Sequence, residues 1–203
     1  MKRILTSALL ALLAGPVTAD TALTRLMEQE TRALRSISGD RMATYLNRPE
    51  LGVEYSRGWL SQQSVGGGDA QSACLAEALY FEARGESVKG QFAVAEVILN
   101  RADSAEYPDT VCGVIRQGTG RKYQCQFSYK CDGMAETIGN RAAFRQVDTV
   151  ARLMVQGAPR RLTDGATFYH TKAVSPRWSR VFARTTTIGV HHFYRKPTRL
   201  SRN

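Results

Sequence analysis

Residues 74–101, CLAEALYFEARGESVKGQFAVAEVILNR, constrain the fold more than any other stretch of the chain. Leu75, Ala78, Leu79 and Glu82 recur at i, i+3, i+4 and i+7, the spacing of one helical face. The pattern predicts a helix that stops at Gly85, because glycine accepts the left-handed conformation that closes a helix. A second helix over roughly 88–102 carries Phe92, Ala93, Val94, Ala95, Val97, Ile98 and Leu99. It is apolar almost all round and is expected to be buried. Glu82 then lies on the apolar face of the first helix, at its last turn, against a buried neighbour. Burial disfavours the ionised carboxylate and raises its pKa, as a general acid at neutral pH requires. The plainer alternative is a solvated glutamate, or one paired with Arg84.

The chain opens with MKRILTSALLALLAGPVTAD. Lys2 and Arg3 precede a short apolar core over 4–14, and Val17-Thr18-Ala19 offers small residues for cleavage, so residues 1–19 are expected to be a signal peptide. The apolar run of about 11 residues falls short of the roughly 20 that span a bilayer, so no stable membrane span is expected. From Asp20 onward the chain is long enough for one sizeable core. The formal net charge is +10, and removal of Lys2 and Arg3 leaves +8. Such an excess favours an anionic partner, and for an exported protein that means wall polymers and their peptide carboxylates. The basic residues are scattered and no base-reading motif is present, so nucleic acid is not expected. The charge could equally serve solubility alone. Four cysteines, Cys74, Cys112, Cys125 and Cys131, form an even set for an oxidising compartment and predict two disulfides. Three pairings are open. The bridges are expected to hold the loop over 118–133 against the Cys74 helix. No C-x-x-C spacing suggests zinc.

Residues 21–36 read as an amphipathic helix with Leu23, Leu26, Met27 and Leu34 on one side. Segment 20–69 is otherwise aperiodic, with a turn at 47–50 and Gly66-Gly67-Gly68 near its end, and reads as an N-terminal helix plus flexible linker. A boundary is expected near residue 70. Further on, 108–115 predicts a short helix capped by Asp109 or Thr110. A longer helix is predicted over 140–156, with Ala143, Phe144, Val147, Val150, Ala151 and Met154 in register and Gly157 and Pro159 as its stop. Segments 166–170 and 184–194, the latter broken at Gly189, predict a small antiparallel sheet. Residues 198–203 form a basic tail.

The blocks YFEARGES, GQFAVAEVILNR, YPDTVCGVI, CQFSYKCDG, FYHT and IGVHHFYR follow one another over roughly 72–195. In this order they resemble the SleB-like cell-wall hydrolase family, the spore-cortex-lytic type of peptidoglycan-cleaving enzyme. The resemblance implies an α+β fold, a mostly helical, lysozyme-like catalytic domain at 70–197 with a small antiparallel sheet near the C-terminus. It implies Glu82 as the catalytic acid, Glu86 as a supporting or substrate-contacting group, and peptidoglycan as the substrate.

Cleavage of a β-1,4-linked glycan needs a proton delivered to the glycosidic oxygen as an oxocarbenium-like centre develops. Neutral Glu82 can supply it. A lytic transglycosylase needs no second carboxylate, because the muramic acid C6 hydroxyl is the nucleophile and the ionised glutamate takes its proton. The family resemblance points the same way. A muramidase-type hydrolase needs a second carboxylate about 5–9 Å away, for which Glu86, Asp132 and Asp164 are candidates. Gln126, Phe127 and Tyr169 are candidate sugar contacts, with a core position the alternative for Phe127. His170, His191 and His192 would be needed by a zinc amidase, but adjacent His191 and His192 on a strand face opposite ways. A non-catalytic wall-binding protein is the remaining alternative. The expectation is an exported monomer, periplasmic or wall-associated, with no metal or cofactor.

Overall fold

The computed structural model describes residues 19–36, 52–120 and 124–197. The expected signal peptide up to residue 18, the turn at 47–50 and the basic tail at 198–203 lie outside the described residues. The chain divides into two units, Met1–Pro49 and Glu50–Asn203. Within the first, helix α1 (Ala19–Ser36) occupies the segment predicted to be helical, and Leu23, Leu26 and Met27 are all exposed on it.

The second unit starts earlier than the expected boundary at residue 70. Leu60, on the short helix α2 (Arg57–Ser61), is buried. The Tyr55 and Trp59 rings lie 5.2 and 6.4 Å from the ring of Phe92. These are single apolar residues in a polar stretch, so periodicity gives no sign of them. The glycine run is held too: the Arg152 guanidinium donates to Gly66 O at 3.1 Å.

Helix α3 (Ala70–Ala83) begins at Asp69, which forms a capping box with Ser72. The Ser72 amide donates to the Asp69 carboxylate at 2.8 Å, and the Asp69 amide donates to the Ser72 hydroxyl at 2.9 Å. At its other end α3 closes without the left-handed glycine that the sequence predicts, because Gly85 is not among the residues of positive φ. The Glu86 amide donates to Ala83 O at 2.9 Å, and the fully buried Gln91 side chain reaches Ala83 O at 3.3 Å and Glu86 O at 3.4 Å. A buried amide therefore satisfies the end of the helix that solvent or glycine geometry would otherwise serve.

Helix α4 (Val88–Ala102) is capped by Ser87, and every residue from Gln91 to Ile98 is buried, as its composition predicts. Around it pack α3, α5 (Val111–Arg116, capped by Thr110) and α6 (Arg141–Val155, capped by Asn140). Leu75 and Leu79 of α3 and Val147 and Val150 of α6 are completely buried, each worth about 1.5–3 kcal/mol of transfer free energy. The disulfides pair Cys74 with Cys112 and Cys125 with Cys131. The first ties α3 to α5. The second closes a loop on itself, so the 118–133 segment is not bridged to the Cys74 helix as expected.

Strands β1 (Phe168–Thr171), β2 (Ala183–Ile188) and β3 (His191–Arg195) form a sheet of order β1-β3-β2, with both outer strands antiparallel to β3. The fold is thus α+β, with the small antiparallel sheet near the C-terminus. Strand alternation sends Tyr169, His191 and Phe193 to one face, where Phe193 joins the helical core. It sends Phe168, His170, His192 and Tyr194 to the other.

Three polar residues of α4 fix where β1 begins. The Glu96 carboxylate, 1 % exposed, accepts from the Leu162 and Thr163 amides at 2.9 Å and from the Thr163 hydroxyl at 2.6 Å. Asn100 donates to Ala166 O at 3.0 Å, and Arg101 donates through Nε to Thr167 O at 2.7 Å. The two residues after Thr167 are Phe168 and Tyr169, so these bonds set the position of the Tyr169 ring.

Candidate active site

Glu82 sits on the last turn of α3, one turn beyond the buried Ala78 and Leu79. Its carboxyl is half-buried, and Oε2 accepts a hydrogen bond from the Tyr169 hydroxyl at 2.8 Å. Burial pushes the Glu82 carboxyl above the ordinary glutamate value, while the Tyr169 hydrogen bond and then the Arg101 charge oppose the rise. Arg84 does not neutralise it, since its guanidinium lies 4.7 Å above the Tyr80 ring.

A cavity of about 210 Å³ opens beside Glu82, lined by Glu82, Arg101, Cys125, Gln126, Ser128 and Tyr169. The structure thus brings together three of the residues singled out in the sequence: Glu82, Gln126 and Tyr169. The loop that carries Gln126 is closed by the Cys125–Cys131 bridge. It is fastened to α3 by Tyr129, which stacks on Phe81 at 4.5 Å and donates to Glu77 at 3.2 Å. Lys130 adds contacts to both Glu77 and Glu136.

Phe127 is not a cavity residue. Residues 126–129 alternate exposed and buried, so Gln126 and Ser128 face the cavity while Phe127 and Tyr129 turn inward. Phe127 is 2 % exposed and its ring lies 5.7 Å from the Arg101 guanidinium, where it serves as a floor. Glu86, expected to support the acid or touch substrate, is also outside the lining. Its buried carboxylate faces the turn between β2 and β3: the Val190 amide donates to Oε1 at 3.4 Å, and His191 Nδ1 lies 3.5 Å from the same oxygen. Gly189 makes that approach possible, since at φ +59° a Cβ there would collide with the Glu86 carboxylate. Burial holds the His191 imidazole below its ordinary pKa against the pull of Glu86. The His191 ring in turn packs edge-on against Tyr169 at 5.3 Å.

Asp132 and Asp164 are exposed and do not line the cavity; Asp132 accepts from the Met134 amide at 2.8 Å, and Asp164 lies 3.9 Å from Arg195. Glu82 is therefore the one carboxylate in the cavity wall among the described residues. The histidines do not converge on it. His170 bonds to the Tyr194 hydroxyl at 3.0 Å, and His192 bonds to the Thr187 hydroxyl at 2.8 Å, both on the sheet face opposite His191. No group of three His, Cys, Asp or Glu side chains among the described residues is placed to hold a metal ion.

Arg101 is the residue that the sequence reading passes over. It is 3 % exposed, lines the cavity, and has its Nη1 buried with no hydrogen-bond partner among the described residues. The guanidinium lies 5.9 Å from the Tyr169 ring. Burial lowers the Arg101 pKa, and nearby Tyr169, Tyr107 and Glu82 oppose this. A signal for it exists: Val94, Val97, Ile98 and Arg101 share i, i+3, i+4, i+7 spacing, which marks an arginine on the buried face of an apolar helix.

The pattern of the cell wall hydrolase family matches residues 85–194, just over half of the chain, and opens three residues after Glu82. The spore cortex-lytic enzyme of Oceanobacillus iheyensis is 66 % identical over 41 residues, 20 % of this chain and 15 % of that enzyme. The spore cortex-lytic enzyme of Halalkalibacterium halodurans is 54 % identical over 51 residues, 25 % of this chain and 16 % of that enzyme. The chain thus matches about a sixth of the length of these curated relatives. Among solved structures, the catalytic domain of the germination-specific lytic transglycosylase SleB of Bacillus anthracis is 32 % identical, with a TM-score of 0.48, and the match covers 64 % of this chain and 100 % of that one.

Proposed function

This chain belongs to the cell wall hydrolase family, and from that premise we propose that it cleaves the glycan strand of peptidoglycan as a lytic transglycosylase, with Glu82 as its acid and base. The observation that carries the reading is the cavity wall, in which Glu82 is accompanied by an arginine, a tyrosine and an amide but by no second carboxylate among the described residues. The sequence relatives named as cortex-lytic enzymes support the substrate class.

The chemistry proceeds in two proton transfers. Neutral Glu82, favoured by burial, gives its proton to the glycosidic oxygen as the bond from the muramic acid C1 breaks. The ionised Glu82 then takes the proton of the muramic acid C6 hydroxyl as O6 closes onto C1. A 1,6-anhydro end results, Glu82 regains its proton, and no water is consumed. Tyr169 and Arg101 stabilise the carboxylate in the interval, the first through its 2.8 Å hydrogen bond and the second through its charge. Gln126, from the cavity wall, bonds sugar hydroxyl or N-acetyl groups in this reading.

The basic, apolar and small-residue succession over 1–19 supports export to the periplasm or wall. Among the described residues, no helix is long and apolar enough to cross a membrane.

The test is mass spectrometry of fragments released from purified peptidoglycan. Anhydro-muramic ends are expected. Reducing ends mean a hydrolase, free stem peptides mean an amidase, and either overturns the proposal. Glu82→Gln, which keeps the shape and removes the titrating proton, is expected to cut release by at least about a hundredfold, the scale of a lost general acid.

A further inference from the structure

The last acidic residue in the chain is Asp164, and all eight charged side chains after it are Lys or Arg. Six of the eight are described. Arg195 faces Asp164 at 3.9 Å, and Lys196 holds Glu106 at 2.9 Å. Lys172, Arg177, Arg180 and Arg184 are exposed and have no acidic partner among the described residues.

Topology gathers these four. Because β1 and β2 flank β3 and run parallel to one another, the link between them must cross β3. It does so as a strap over the sheet face opposite Tyr169. Trp178 of the strap packs on Phe168 at 5.2 Å and Tyr194 at 5.3 Å, and Phe182 packs on Phe168 at 4.8 Å. The inner side of the strap is thus aromatic, and Arg177 and Arg180 remain exposed. Lys172 and Arg184 flank the crossing. The His192 imidazole beneath is held below its ordinary value first by burial and then by the charge of Arg184, by neighbouring His170 and by the charge of Lys172.

We propose that this strap is a second contact with the substrate, a cationic surface that binds the carboxylates of the peptidoglycan stem peptides. The inference rests on the wall-cleaving reading above. A polyanion is favoured over a lipid surface because the large apolar side chains of the strap, Trp178 and Phe182, are turned onto the sheet, leaving only Val174 and Val181 exposed among the cations. An interfacial anchor would present its aromatic residues outward. Each exposed ion pair contributes a factor of about two, so four together give binding that salt screens. Such a tether keeps a cleaved strand near the cavity and raises its local concentration.

The experiment is co-sedimentation of the full chain with purified wall sacculi over a salt series. Binding is expected to fall steeply with salt, and the quadruple variant Lys172→Gln, Arg177→Gln, Arg180→Gln, Arg184→Gln is expected to bind about tenfold more weakly. The same variant should turn over short soluble glycan fragments at the wild-type rate. The charge-keeping variant Arg177→Lys, Arg180→Lys, Arg184→Lys should bind nearly as wild type does. Sacculi whose carboxyls have been chemically amidated test the idea without any change to the protein, and are expected to lose the same tenfold. Binding that ignores salt and amidation overturns the proposal, as does binding to phosphatidylglycerol vesicles with none to sacculi. Sedimentation needs no cleavage, so a failure of the Glu82 chemistry would register in the product analysis and leave this readout intact.

Discussion

At the scale of the residue, Glu82 is held between two demands. Burial favours the neutral acid that the proposed reaction needs first, while Tyr169 and Arg101 favour the carboxylate that it needs next. Because the Glu82 pKa is raised, the acid step is expected to fail as pH climbs through that raised value, giving an alkaline limb to kcat/KM. Tyr169→Phe removes a donor to the ionised form, so the limb should move to higher pH. The rate should also drop roughly tenfold to a hundredfold, the worth of a hydrogen bond to a charged group. A limb that stays in place in Tyr169→Phe would detach Tyr169 from the titration of Glu82. The same raised pKa makes a statement about stability. A group with a higher pKa folded than unfolded supports the fold fully below its unfolded value and loses that support as pH rises through its folded value. Glu82→Gln is therefore expected to melt as wild type does at pH 3 and above wild type at pH 8. Thermal denaturation at the two pH values checks the sign.

At the scale of the element, α4 is the ruler of the site. Its apolar residues are plain in the sequence, and its burial follows from them. Its polar residues are the ones that fix where β1 begins, and their roles are hidden for a physical reason. Glu96, Asn100 and Arg101 bond to the backbone of 162–167, more than sixty residues away, and such partners are set by the folded path and not by local spacing. Glu82 is legible because helix period and apolar neighbours lie within one turn of it. The facing of Phe127 and Glu86 is not legible, because that of a short loop residue, or of a side chain just past a helix end, depends on one backbone rotation that no periodicity reports. The anchor can be tested. Glu96→Ala leaves the Leu162 and Thr163 amides without their acceptor in a buried setting and is expected to cost about 2–4 kcal/mol. Urea denaturation measures this. Where Glu96→Ala still folds, KM should rise along with the loss of kcat, since the Tyr169 backbone has lost its fixed start. An unchanged urea midpoint would mean that the carboxylate does not hold that segment.

At the scale of the whole molecule, the helical unit and the sheet were both legible from apolar spacing and turn residues, and an even number of cysteines called for two bridges. The pairing could not be read, since it depends on which loops come together. The observed pairing gives the two bridges different tasks. Cys74–Cys112 spans 38 residues and links α3, which carries Glu82, to α5. Cys125–Cys131 spans 6 residues and shapes the cavity wall that carries Gln126 and Ser128. In the chain-entropy treatment the longer loop contributes about 4 kcal/mol and the shorter about 2 kcal/mol, by restricting the unfolded chain. Replacing Cys74 and Cys112 together by Ser should therefore lower the melting temperature most, while activity well below the new midpoint stays close to wild type. Replacing Cys125 and Cys131 should do the reverse, a small loss of stability with a large rise in KM, because the loop loses its closure next to the cavity. Calorimetry and steady-state kinetics on the two double variants separate these effects. Were both pairs to change stability alone, the 125–131 loop would be a structural clasp, and the contribution of Gln126 to sugar binding would have to be dropped.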